Sequence, residues 1–211
     1  MIVKIDHLAW CPVNIAQAQE ALLVKGYERC FHIKGVPNPQ IKKGLMGQWS
    51  SQHDLMLFEH KEQMPIEILD HGHCLKPVGR SMFMLQEDGG RQVMALSNVL
   101  EQSVEFWKYF GFKISGLDAG RTLLTFNPLL GGALTLIVQE EKGMRGPFLD
   151  TEGFNSLAFI SSNISNDLRG IQDKGVETTA IDTIILEEKT LEIFFAKGPS
   201  GEMVEVIGLK S

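Results

Sequence analysis

Only three cysteines occur in the 211 residues, at positions 11, 30 and 74. Being odd in number and widely spaced, they suit neither a disulfide framework nor a paired-cysteine zinc site, so the expectation is free thiols. Long basic runs are also missing: the longest is Lys42-Lys43, and 26 acidic against 20 basic side chains leave a net charge of −6. A phosphate backbone would find no electrostatic footprint here, which argues against nucleic acid as a partner. The first six residues, Met1-Ile-Val-Lys-Ile-Asp, carry two charges and open no uninterrupted apolar stretch. Neither a signal peptide nor a membrane span has that character, so the expectation is a cytoplasmic protein without a membrane partner. Core-forming material is not lacking. Hydrophobic residues make up 44% and charged residues 22%, which is ordinary globular usage, and the length suits one large or two small domains.

An internal repeat organises the rest. A short apolar run, a helical pattern, a glycine and a second extended run appear in order from His7 to Gly26, from Gln92 to Gly111 and from Ser156 to Gly175, each interval being 19 residues. Ala18 with Leu22, Val104 with Trp107, and Leu168 with Ile171 fall at three- or four-residue spacing, so each helix offers one apolar stripe to a sheet. Asn14 and Ser165 read as helix caps, and a glycine beyond the last helical residue can take the left-handed conformation that ends a helix. Extended runs follow at 45–49, 54–59 and 66–69 in the first copy, 123–126 and 133–138 in the second, and 183–186, 191–195 and 203–207 in the third. The unit is therefore β-α-β-β-β, and the fold class α+β. Residues 73–90 read as a linker between a single module, 1–72, and a two-module domain, 91–211, in which modules two and three pair into a cupped eight-stranded sheet with Gln92 and Ser156 on adjacent opening strands.

These motifs resemble the vicinal oxygen chelate superfamily, the group of glyoxalases, bleomycin-resistance proteins and extradiol dioxygenases. Ile5-Asp-His7-Leu-Ala is similar to an opening strand that carries a metal-binding histidine, and Pro65-Ile-Glu67-Ile-Leu to a closing strand that carries a metal-binding glutamate. Phe154-Asn-Ser-Leu-Ala-Phe with Gly198-Pro-Ser-Gly-Glu-Met-Val-Glu205-Val resembles the second half of such domains. The resemblance implies His7 and Glu67 as metal ligands, with Gln92 and Glu205 as weaker candidates, for zinc, nickel, iron or manganese. Thr135 and Ser156 stand where a carboxylate and a histidine are expected, so no tightly bound transition metal is expected from modules two and three. The implied activity is that of a divalent-metal-dependent lyase, isomerase or oxygenase acting on a small oxygen-chelating substrate. The alternative is a metal-free small-ligand binder like the bleomycin-resistance proteins.

Each candidate also has a plainer reading. In strict alternation His7 shares a face with Ile5 and Ala9, as a hydrogen-bonded interior histidine would. Glu67 shares a face with Pro65 and Leu69 and belongs either to an exposed edge or to a cation, while Glu205, in phase with Met203 and Ile207, needs a partner of some kind. His71-Gly-His73 reads as a solvated loop, and Trp10, Trp49 and Trp107 as core. A first module standing alone would leave its opening strand as a free edge. The expectation is thus a homodimer through the first module, with His7 and Glu67 of both chains meeting on the axis.

Overall fold

The computed structural model describes residues 1–77, 80–86, 90–118, 120–143 and 146–209, so that residues 78, 79 and 87–89 of the expected linker lie outside the described residues. The first module runs through β1 (Ile2–Cys11), α1 (Ile15–Val24), β2 (Glu28–Pro37), β3 (Gln52–Glu59) and β4 (Ile66–Asp70). A short β5 (Phe83–Leu85) follows inside the expected linker. The second comprises β6 (Gln92–Ser97), α2 (Leu100–Lys108), β7 (Lys113–Asp118), β8 (Arg121–Phe126) and β9 (Leu134–Glu140). The third comprises β10 (Gly153–Ser161), α3 (Ile164–Gln172), the two-residue β11 (Glu177–Thr178), β12 (Asp182–Leu186), β13 (Lys189–Lys197) and β14 (Met203–Leu209). In every module the opening strand lies parallel to the closing one, β1 on β4, β6 on β9 and β10 on β14.

Local chemistry accounts for the helix ends. Asn14 accepts a hydrogen bond from the Gln17 N–H at 3.0 Å, supplying one of the partners that a first helical turn lacks. The glycines selected by the equal spacing, Gly26, Gly111 and Gly175, adopt φ of 86°, 93° and 77°, a region that costs a β-carbon dearly. The cap of α3 is Asn163, which accepts from the Asn166 N–H, and not Ser165, which lies inside the helix. Residues 45–49 are not a strand either. A 3-10 turn over Gln40–Leu45 leads into an irregular crossing that lays Ile41, Leu45, Met46 and Trp49 on Phe195, Met203 and Ile207 of the third module.

The cupped eight-stranded sheet exists, but modules one and three build it. β1 pairs antiparallel with β10 along nearly its whole length, giving the order β2-β3-β4-β1-β10-β14-β13-β12. Gln92 and Ser156 are therefore not on adjacent opening strands. The outer edge of β6 is taken by β5, whose Phe83 also bridges to Phe154 of β10. Module two instead packs its helix against the back of module three: Val104, Phe106, Trp107 and Phe110 share one core with Ile164, Phe194, Val204 and Val206. Phe110 stacks on Phe159 with centroids 5.7 Å apart. Since β1 has partners on both sides, the free edge that motivated a dimer through the first module is absent.

Candidate metal centre

The concave face of the cup carries the ionisable residues. In the two parallel pairs Ala9 lies opposite Glu67 and Ala158 opposite Glu205, so the two carboxylates occupy equivalent places in modules one and three. The place equivalent to His7 is then held by Ser156, which is buried. The cup accordingly carries three histidine and carboxylate donors where full symmetry between the two modules would supply four.

A backbone irregularity aims the histidine. The register of β1 against β10 slips between Ile5 and Leu8, which sends both of these residues into the main core and leaves Asp6 and His7 together on the cavity wall. Strict alternation would have put Ile5 beside His7, and the bulge corrects it. His7 Nδ1 lies 3.0 Å from Asp6 Oδ2, an interaction that fixes the ring and leaves Nε2 to face the other carboxylates. Nε2 is 3.2 Å from Glu67 Oε2 and 3.8 Å from Glu205 Oε2, yet it is fully buried and makes no aligned hydrogen bond. One donor atom from each of His7, Glu67 and Glu205 lies within 4.8 Å of the others, and among the described residues no other group of three His, Cys, Asp or Glu does so.

Electrostatics couple the set. Burial alone would pull the His7 pKa down, but the Glu67 charge and the hydrogen bond to Asp6 outweigh it and hold the imidazole well above its ordinary value. Burial would raise Glu67, but the neighbouring His7 charge reverses the sign and leaves it lowered. Glu205, with weaker compensation, is raised by burial. An imidazole nitrogen with two carboxylate oxygens, all within 4.8 Å, is a set that a divalent transition ion fits.

Gln92, a weaker candidate, does not belong to this centre. It lies opposite Thr135 within the sheet of module two, because its module is not part of the cup. Glu205, the other weaker candidate, does belong. The histidines after β4 are not a solvated loop: His71 is buried, and His53, His71 and His73 form a row with ring centroids 5.3 and 6.1 Å apart. The row ends at Asp150, whose carboxylate lies 3.0 Å from His73 Nε2 and accepts from the Gly47 and Gln48 N–H groups at 2.8 Å each. The Sγ atoms of Cys11 and Cys74 are 3.3 Å apart, and both thiols are free. Trp107 is core, while Trp10 is half-buried against Phe154. Lys42 is the residue that sequence reasoning missed. It enters the cup from the 3-10 turn and is 6% exposed. Its only sequence signal was membership of the longest basic pair.

No family model and no curated protein matches the chain. Solved structures similar to it include glyoxalase I from Zea mays, at 14% identity over 98% of this chain and 68% of that one with a TM-score of 0.42. A putative dioxygenase from Bacillus subtilis subsp. subtilis str. 168 shares 10% identity over 100% and 64% of the respective chains, with a TM-score of 0.47. A glyoxalase/bleomycin resistance protein/dioxygenase from Alicyclobacillus acidocaldarius shares 13% over 57% and 90%, with a TM-score of 0.45. Among the described residues no helix is long and apolar enough to cross a membrane.

Proposed function

We propose that this is a divalent-metal protein of the glyoxalase and dioxygenase type, in which His7, Glu67 and Glu205 hold the ion and a small substrate bearing adjacent oxygen atoms binds beside it as the object of a lyase, isomerase or oxygenase reaction. The observation that carries the reading is the convergence of the buried Nε2 of His7 with two carboxylates from two modules, all within 4.8 Å. The ion would supply Lewis-acid polarisation of a substrate oxygen.

The protein's own residues have separable tasks in this reading. Asp6 orients His7 by accepting from Nδ1–H. Glu67 and Glu205, on equivalent strands, approach from opposite halves of the cup. Val36 and Leu55 line the cavity, and Leu69 packs against them. The same apolar lining, in a cavity of about 360 Å³, supports the second reading, a metal-free small-ligand binder.

Metal analysis of protein purified without added ions, then reconstituted with zinc, nickel, iron or manganese, separates the two. The expected result is about one ion per chain in the wild type and none retained by His7→Ala or Glu67→Gln. A wild type that takes up no ion above the level of those variants removes the metal reading and leaves the binder.

A further inference from the structure

Lys42 is 6% exposed as a residue and lines the cup, and among the described residues its ammonium makes no hydrogen bond and no ion pair within 4.0 Å. It stands over the face of Phe195, with Nζ 5.5 Å from the ring centroid. The segment that carries it is pinned in place. Its turn is closed by Lys42 N–H to Pro39 C=O at 3.0 Å, the Leu149 N–H bonds to the Leu45 carbonyl at 2.9 Å, and the buried Asp150 accepts from the Gly47 and Gln48 N–H groups. The charge nevertheless acts on its surroundings, favouring the ionised forms of Glu205 and Glu67 and the neutral forms of His53 and His71.

We infer that the cup takes a monoanionic carboxylate ligand with an apolar chain, its head group held by Lys42 next to His7, Glu67 and Glu205. The inference rests on the proposed function for what lies at the reacting end of the ligand, and on Lys42 for the anchor. The cavity wall also carries Asp6, Glu67, Glu187 and Glu205 against Lys4 and Lys189, so a phosphate-like dianion would meet more repulsion than a ligand with one negative charge. The chain has a matching surface in Phe31, Leu55, Ile184, Leu191 and Ile207. The cavity volume of about 360 Å³ is within the range of small-molecule sites.

Calorimetric titration of the intact protein with sodium octanoate, 1-octanol and octylammonium chloride tests this, in wild type, Lys42→Met and Lys42→Arg. Octanoate should bind the wild type at least tenfold more tightly than octanol, with octylammonium weakest. Lys42→Met should weaken octanoate at least tenfold while leaving octanol within twofold, and Lys42→Arg should keep the preference. Equal binding of octanoate and octanol, or a preference that survives in Lys42→Met, overturns the inference. Melting of the ligand-free proteins checks that Lys42→Met is folded, so that a loss of octanoate binding reads as loss of the anchor. Repeating the titrations after chelator dialysis keeps the two readings apart. An octanoate preference in a protein that binds no ion leaves the anchor and removes the metal; ion binding without the preference leaves the metal and removes the anchor.

Discussion

Acid should destabilise this protein through His71 in a way that one substitution can isolate. His71 is 5% exposed, and neither ring nitrogen has a hydrogen-bond partner. Burial first, then the charge on Lys42, push its pKa from 6.5 down to about 4, with Asp150 and Asp70 opposing and His73 adding to the shift. Its folded value lies below its unfolded one, so between pH 6.5 and about 4 the unfolded chain binds the extra proton and stability falls as pH falls. At about 1.4 kcal/mol per unit, the difference amounts to about 3 kcal/mol by pH 4. His71→Phe keeps a ring in the space and removes the titration. Denaturant unfolding at pH 7 and pH 4 should show the wild type losing about 3 kcal/mol more than the variant, equivalent to roughly 6–12 °C in melting temperature for a chain of this size. Contributions from His53 and the carboxylates occur in both proteins and largely cancel in the difference. At pH 7 the variant should be no less stable, because two unpaired buried nitrogens have gone. Parallel pH profiles for the two proteins, or an NMR titration placing His71 near 6.5, would refute the reasoning.

Metal uptake should release protons, because His7 is held well above its ordinary pKa and must lose its proton to donate through Nε2. Affinity should therefore climb with pH through neutrality, and calorimetry in two buffers of different ionisation enthalpy should count the released protons; none released between pH 6 and 8 contradicts the proposed ligand. Gly201→Ala should destabilise by roughly 2 kcal/mol or more, since Gly201 has φ 89° and a β-carbon there would sit 2.4 Å from the Gly146 Cα. Equilibrium unfolding checks it, and a change below about 0.5 kcal/mol, the usual range for surface sites, would be the wrong answer. Trp107→Ala should cost about 3–5 kcal/mol by emptying the core between modules two and three. A loss as small as that of an exposed residue would mean that module two is held by something other than this core.

Much of the molecule could be read from the chain alone, for a reason of range. A helix stripe such as Val104 with Trp107, or a glycine that ends a helix, is specified within a few residues by side-chain periodicity and backbone sterics, and the equal spacing carries that information three times over. The same locality made His7 and Glu67 legible as candidates. Which module pairs with which was decided only in three dimensions. Strand edges join through backbone N–H and C=O groups that every residue carries, so no side-chain pattern distinguishes β10 from β6 as the partner of β1. Chain proximity favoured modules two and three, but β5 occupies the edge of β6, and β1 and β10 close the cup instead. That long-range choice brings Glu205 to His7 and Glu67 within one chain and strands Gln92 outside the site. It also places Lys42, a residue unremarkable in sequence, under the walls of a module more than a hundred positions away, where burial gives its charge a consequence.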